Sequence, residues 1–177
     1  VIIDKNDTKF NSEFDNQDNI FFFKSDITSK KSINNVFDQI IERFSEVHSV
    51  IHCSYPKTSD WGTRFENLEE NSLQQNLFSQ LGSSILLAQK VMKIFTNNKK
   101  GNLILFSSIL GLRAPKFDQY KDTKMVSPIE YSAVKSGIVS ITKYLAKYYK
   151  NCNIRVNCVS PGGILDGQPT NFTEKYR

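Results

Sequence analysis

Tyr131-Ser-Ala-Val-Lys135-Ser-Gly137 opens an amphipathic run that continues through Ile138, Ile141 and Leu145. Apolar residues at that spacing predict a helix, on which Tyr131 and Lys135 stand one above the other on one face. Ser127-Pro128-Ile-Glu130, just upstream, reads as a capping box with Pro at the first helical position, which would fix the helix start. A phenol beside a fixed ammonium can give and take a proton, because the cation stabilises the phenolate. Tyr and Lys four apart also occur on ordinary solvated helix faces. The surrounding chain decides what the pair is for.

Working outward, strand and helix patterns alternate. Val1–Asp4, Ile20–Phe23, His48–Cys53, Asn102–Phe106 and Ile154–Val159 read as strands. Ser29 is a predicted N-cap for a helix with Ile33, Val36, Phe37, Ile40, Ile41 and Phe44 inside. A long helix is predicted from about residue 68 to residue 95, with Leu73, Leu77, Leu81, Ile85 and Val91 as its core stripe. Asn97-Asn98-Lys-Lys-Gly101 carries helix-stop chemistry. This alternation argues an α/β fold: a Rossmann-like, doubly wound parallel sheet with helices on both faces. Ligands of such sheets bind at the carboxyl ends of the strands, where Asp4, Asp26, Cys53 and Ser107-Ser108 fall.

Composition bounds the function classes. The 177 residues allow one domain over 1–177 with a sizeable core. The formal charge of +5 comes from scattered lysines rather than a basic stripe, so no nucleic-acid partner is expected. No apolar run is long enough to span a bilayer, and no membrane partner is expected. Cys53, Cys152 and Cys158 lack metal-like spacing and read as reduced thiols of a cytoplasmic protein. No metal is expected, since His52 and Cys53 have no second cluster beside them.

With Ser108, Tyr131 and Lys135 placed, the chain resembles the short-chain dehydrogenase/reductase family. The resemblance rests on Asp4, Asp26-Ile27, Ile51-His-Cys-Ser-Tyr55, Ser107-Ser108, Tyr131-x-x-x-Lys135 and Val159-Ser-Pro-Gly162, in that order along the whole chain. Cys53-Ser-Tyr-Pro56, Trp61-Gly62, Leu81-Gly-Ser-Ser84, the insert at Pro115-Lys-Phe117 and the tail from Ser160 to Pro169 resemble flagellin-modification-type sugar oxidoreductases within it. The resemblance implies hydride transfer between a nicotinamide cofactor and a hydroxyl or ketone. Tyr131 would be the general acid/base, Lys135 its partner and the holder of the nicotinamide ribose, and Ser108 a donor to the substrate oxygen.

Further roles follow from the same resemblance. The family's helix amide falls on Gln80, or on Asn76 one turn earlier. Asp4 resembles the acid on the adenosine ribose and favours NAD over NADP, while Asp26 and Ile27 would meet the adenine. His52 and Cys53 replace two asparagines of the family pattern. Pro161 and Gly162 would approach the nicotinamide by backbone, with Ile164 near its carboxamide. A second spacing, Tyr120…Lys124, lies in the insert without helical apolar period and is set aside.

The Gly-rich pyrophosphate turn of the family is absent, and Val1 starts in mid-strand without Met. The chain is therefore read as an internal piece that lacks the first, central strand and the last one, and weak NAD binding by these residues alone is expected. Homodimers or homotetramers are implied for the full-length protein, with a small-molecule alcohol or ketone as substrate. Two other readings stay open: a non-catalytic binding or regulatory module of the same fold, and a sugar-nucleotide epimerase or dehydratase.

Overall fold

The computed structural model describes residues 1–14 and 17–176. Among them the elements run β1 (Ile2–Asp4), α1 (Thr8–Phe14), β2 (Phe22–Lys24), α2 (Lys30–Phe44), β3 (Ser49–His52), α3 (Glu70–Leu77), α4 (Ser83–Asn98), β4 (Gly101–Phe106), α5 (Ile129–Tyr148), β5 (Ile154–Val159) and α6 (Thr170–Tyr176). All pairings are parallel. β1 pairs with β2, and a separate sheet has the order β3-β4-β5. Among the described residues β1 and β3 thus each keep one edge without a ladder partner, as expected of a doubly wound sheet lacking its middle strand.

The three-stranded sheet buries one face and leaves the other open. Leu103, Leu105, Ile154 and Val156 point into the core against Ile33, Val36, Phe37 and Ile40 of α2, Leu87, Val91, Met92 and Phe95 of α4, and Val134 and Ile138 of α5. The alternate residues face outward, and Ile51 is 62% exposed. The strands therefore alternate although the sheet is parallel, because helices cover only one side of it here.

The long helix predicted from residue 68 is broken. α3 passes into a π-helical turn, Phe78–Gly82, before α4 begins. Such a turn inserts one residue and rotates the following stripe by about 100°. Leu87, Ala88, Val91 and Met92 consequently take the core positions, while Ile85 is exposed, contrary to the predicted stripe. Serines make the insertion tolerable: Ser83 Oγ donates to the Ser79 carbonyl and Ser84 Oγ to the Gln80 carbonyl, each at 2.5 Å. The turn buries Gln80, Ser83 and Ser84.

The start of α5 and the tail depart from expectation, while α4 stops within the stretch that carries helix-stop chemistry. α5 starts at Ile129 with Pro128 in the cap position and no side-chain cap bond, so the capping box does not form. Ser127 Oγ and Glu130 Oε2 are instead buried without hydrogen-bond partners. The fixed φ of Pro128 and the packing of α5 set the start. At the end of α4 the left-handed residue is Lys99, φ 56°, and Gly101 already belongs to β4. Finally, α6 follows Pro169 in a tail where no helix was predicted. It is a short element held by Phe172 packing on Tyr120, with ring centroids 5.2 Å apart.

Two contacts tie the sheet to the helices. His52 Nε2 lies 2.9 Å from Ser84 Oγ. Because the Ser84 proton is already given to Gln80, the imidazole is the donor. Burial, helped by Lys135, lowers the His52 pKa from 6.5 to about 4, so the ring is neutral at neutral pH. Across the sheet, Ser107 Oγ donates to the Lys135 carbonyl at 2.7 Å, and the 3₁₀ turn Ile109–Gly111 lies against α5. Only a glycine fits at its end: a Cβ on Gly111 would stand 2.6 Å from the Lys135 carbonyl carbon.

Gly111→Ala is therefore expected to lower the unfolding free energy by about 1–3 kcal/mol through overpacking against backbone, read from urea midpoints. An unchanged midpoint would contradict the contact. For His52 the sign follows from a folded pKa below the unfolded one. The unfolded chain binds the extra proton, so stability falls as pH drops from 6.5 towards about 4. The full loss from this group is about 3 kcal/mol. His52→Asn keeps a donor for Ser84 and removes the titration, so its unfolding curve should flatten over that window; an equal loss in both proteins would assign the effect elsewhere.

Candidate active site

β4 delivers Ser107 and Ser108 at its carboxyl end, and both are buried. Ser108 caps the 3₁₀ turn, its Oγ accepting the Leu110 N–H at 3.2 Å. The same hydroxyl keeps its proton free for another acceptor. The Pro161 carbonyl accepts the Ile109 N–H at 3.0 Å, which brings the loop after β5 beside this turn.

α5 carries Tyr131 and Lys135 in its first two turns. Lys135 Nζ donates to the Phe106 carbonyl at 2.9 Å and stands 5.5 Å from the Tyr131 ring centroid. Burial lowers the Lys135 pKa from its ordinary value. The helix thus holds an ammonium and a phenol side by side at the end of β4, next to Ser108. Tyr120 and Lys124 make no comparable pair. Tyr120 ends a 3₁₀ turn, Phe117–Tyr120, and packs on α6, so its four-residue spacing to Lys124 is not helical.

Two aromatic residues that the sequence reading gave no chemical role complete this corner. The Tyr55 ring lies 5.8 Å from that of Tyr131 and 5.5 Å from that of Trp61, and Trp61 is 6.5 Å from Tyr131. All three contacts are edge-to-face, the geometry that ring quadrupoles favour. Burial, then the neighbouring Tyr131, hold the Tyr55 phenol well above its ordinary range; Glu130 adds to this, and a hydrogen bond from the Trp61 side chain opposes it. Tyr55 therefore stays protonated and is not a proton carrier. Its signal in the sequence was its place directly after a strand that ends in a ligand-binding position.

Gln80 and Asn76 act on the loop that carries Tyr55. Gln80 Nε2 donates to the Pro56 carbonyl at 2.9 Å, while its Oε1 is buried without a partner. Asn76 Oδ1 accepts the Thr58 N–H at 3.1 Å and Asn76 Nδ2 donates to Thr58 Oγ1 at 3.0 Å. Asn76 and the Gln80 amide nitrogen thus hold the loop, and the Lys135 ammonium bonds the Phe106 carbonyl rather than Gln80.

A cleft of 480 Å³ opens at the carboxyl ends of β1, β2 and β3, lined among others by Asp4, Asp26, Ile27 and Tyr55. Asp26 is held below the usual carboxylate range by the Thr28 N–H and then the Thr28 hydroxyl. Asp4 Oδ1 accepts the Asn6 N–H at 2.9 Å, which leaves its other oxygen for a ligand hydroxyl. Carboxylates beside an apolar Ile27 suit the ribose and base of an adenosine, and the volume is that of a ligand site. Cys53 is exposed, and Ser54 rather than Cys53 lines the cleft. Gly162 and Ile164 stay in the loop before α6, where Ile164 is 70% exposed and Gly163 N donates to the Tyr176 hydroxyl at 2.6 Å. Among the described residues no group of three His, Cys, Asp or Glu could hold a metal ion, and no helix is long and apolar enough to cross a membrane.

Comparison with known proteins gives the same fold. A family model described as enoyl-(acyl carrier protein) reductase matches residues 2–175. The chain is 40% identical over 171 residues to the post-translational flagellin modification protein A of Campylobacter coli, covering 96% of this chain and 66% of that protein. It is 28% identical over 142 residues to the 3-oxoacyl-[acyl-carrier-protein] reductase FabG of Buchnera aphidicola, covering 78% of this chain and 52% of that one. A short chain dehydrogenase from Leptospira borgpetersenii, solved with bound NAD+, superposes with a TM-score of 0.82 at 30% identity over 93% of this chain and 62% of its own. ElxO with NADP bound shares the fold at a TM-score of 0.78 and 17% identity, over 98% of this chain and 66% of its own. The chain thus spans less than two thirds of the length of several relatives. With a matching model along nearly its whole length, and with serine, tyrosine and lysine gathered at the ends of β4 and α5, the chain belongs to the short-chain dehydrogenase/reductase family of oxidoreductases.

Proposed function

We propose that the chain carries the proton-transfer half of an oxidoreductase acting on a small-molecule hydroxyl or ketone with a nicotinamide dinucleotide. One observation carries the reading: Lys135 Nζ is fixed by the Phe106 carbonyl at 2.9 Å and faces the Tyr131 ring at 5.5 Å, one helical turn away. A bound nicotinamide would supply or accept the hydride. Tyr131 gives a proton to the carbonyl oxygen or takes one from the hydroxyl. Lys135 stabilises the phenolate through its charge and holds the ribose hydroxyls, and Ser108 donates to the substrate oxygen as charge builds there.

Asp4, Asp26 and Ile27 are the residues for the adenosine half. A carboxylate at Asp4 repels a 2′-phosphate, which supports NAD rather than NADP. The name of the Campylobacter coli relative supports a sugar derivative bound for a surface protein as substrate. The three free cysteines support a reducing cytoplasm. Tyr144 and Tyr148 stack with centroids 5.9 Å apart on an exposed face of α5, a surface suited to a second copy in a homodimer or homotetramer.

The test is turnover of the full-length gene product over a panel of alcohols and sugars, read as NADH formation. Tyr131→Phe is expected to lower kcat by about 10²–10⁴-fold, the usual worth of general acid/base catalysis. Turnover equal to that of the unsubstituted protein would sink the role of Tyr131.

A further inference from the structure

Tyr55 lies in the loop after β3, yet its surroundings are unlike those of an ordinary turn. Two ammonium groups face its ring: Lys135 Nζ and Lys57 Nζ each lie 5.4 Å from the centroid. Lys57 lines the cleft beside Asp4 and Asp26, whereas Lys135 belongs to the catalytic pair, and Tyr55 lines that cleft too. The ring thus stands within cation–π reach of one ammonium of the cleft and one of the catalytic pair. It is also pinned, because Trp61 packs edge-to-face on it at 5.5 Å. The following residues Pro56 and Thr58 are bonded to Gln80 and Asn76.

We propose that Tyr55 is a positioning residue for Lys135: its ring is the second wall of an aromatic clamp whose first wall is Tyr131, and together they hold the Lys135 ammonium in place. Ring faces at 5.4 and 5.5 Å attract the ammonium and restrict its rotamers, and among the described residues its direct hydrogen-bond acceptor is the Phe106 carbonyl. Burial lowers the Lys135 pKa from its ordinary value, so the ring attraction acts on a partly desolvated ammonium. The protonated state of Tyr55 keeps the wall uncharged, so it does not compete for the Tyr131 proton. Gln80 and Asn76 then matter to the pair through the loop they hold. The significance of Lys135 rests on the function proposed above, while the clamp itself is measurable without turnover.

The experiment is competitive acetylation of the 177-residue chain at limiting reagent, with the rate at Lys135 taken by mass spectrometry relative to exposed Lys93. Tyr55→Gly is expected to raise the ratio by about tenfold, as the wall and its cation–π attraction are lost, while Tyr55→Phe stays within about twofold. No rise in Tyr55→Gly, or an equal rise in Tyr55→Phe, overturns the clamp. Lys90, which bonds Asp38 at 2.6 Å, reports unfolding. If Lys90 labelling also rises in Tyr55→Gly, Trp61→Ala decides, since it removes the ring that packs on Tyr55 while leaving Tyr55 itself; about a threefold rise at Lys135 is expected there, and none overturns the proposal. In the full-length gene product Tyr55→Gly should lower kcat more than it changes the cofactor KM, with Tyr55→Phe restoring kcat; equal losses in both variants overturn the role of the ring. Turnover that survives Tyr131→Phe would instead remove the acid/base reading and leave the labelling result standing.

Discussion

The hydrogen bond from Ser107 Oγ to the Lys135 carbonyl is the constraint from which the site follows. It joins the carboxyl end of β4 to the second turn of α5, and it holds only because Gly111 leaves room for the two backbones to meet. That junction places three groups at one corner. Ser108 is the next residue along the strand, Lys135 reaches back to the Phe106 carbonyl, and Tyr131 lies one turn earlier on the same helix face. None of these side chains needs a loop to find its place. A site on rigid elements keeps its geometry while the surrounding loops vary.

A second layer sits on the other side of the pair. The π-helical turn at Phe78–Gly82 turns Gln80 inward, and with Asn76 it grips the loop after β3. That loop presents Tyr55 and Trp61 to the Tyr131 ring. His52 joins the same layer by its bond to Ser84 in α4. The layer therefore runs from strand end to π turn to loop to aromatic wall, and a change at Gln80 or His52 would be felt at Lys135 without touching it.

Much of this was legible in the residues, and the failures have physical causes. The alternation of elements identifies the parallel sheet, and short-range pattern places Asp4, Asp26 and Ser108 at strand ends and Tyr131 and Lys135 on one face of α5. The stripe through Ile85 failed because one inserted residue in the π turn shifts the phase, and only the serines at 79, 83 and 84 hint at it. The capping box failed because Pro128 and tertiary packing, not Ser127, start α5. Gly111 and Tyr55 were not read as site residues since their roles lie in contacts across 24 and 76 positions of chain, which no local pattern encodes. α6 was missed for the same reason: a seven-residue helix held by Phe172 against Tyr120 has no period of its own to read.

The measurement that bears most directly on the account is Lys135→Met in the full-length gene product, with turnover and binding of ADP to the Asp4–Asp26 cleft followed separately. If the ammonium is the partner of Tyr131 and the cleft is a distinct adenosine site, kcat falls by about a hundredfold or more while ADP affinity stays within about twofold. Turnover close to that of the unsubstituted protein would contradict the pair at the centre of this structure.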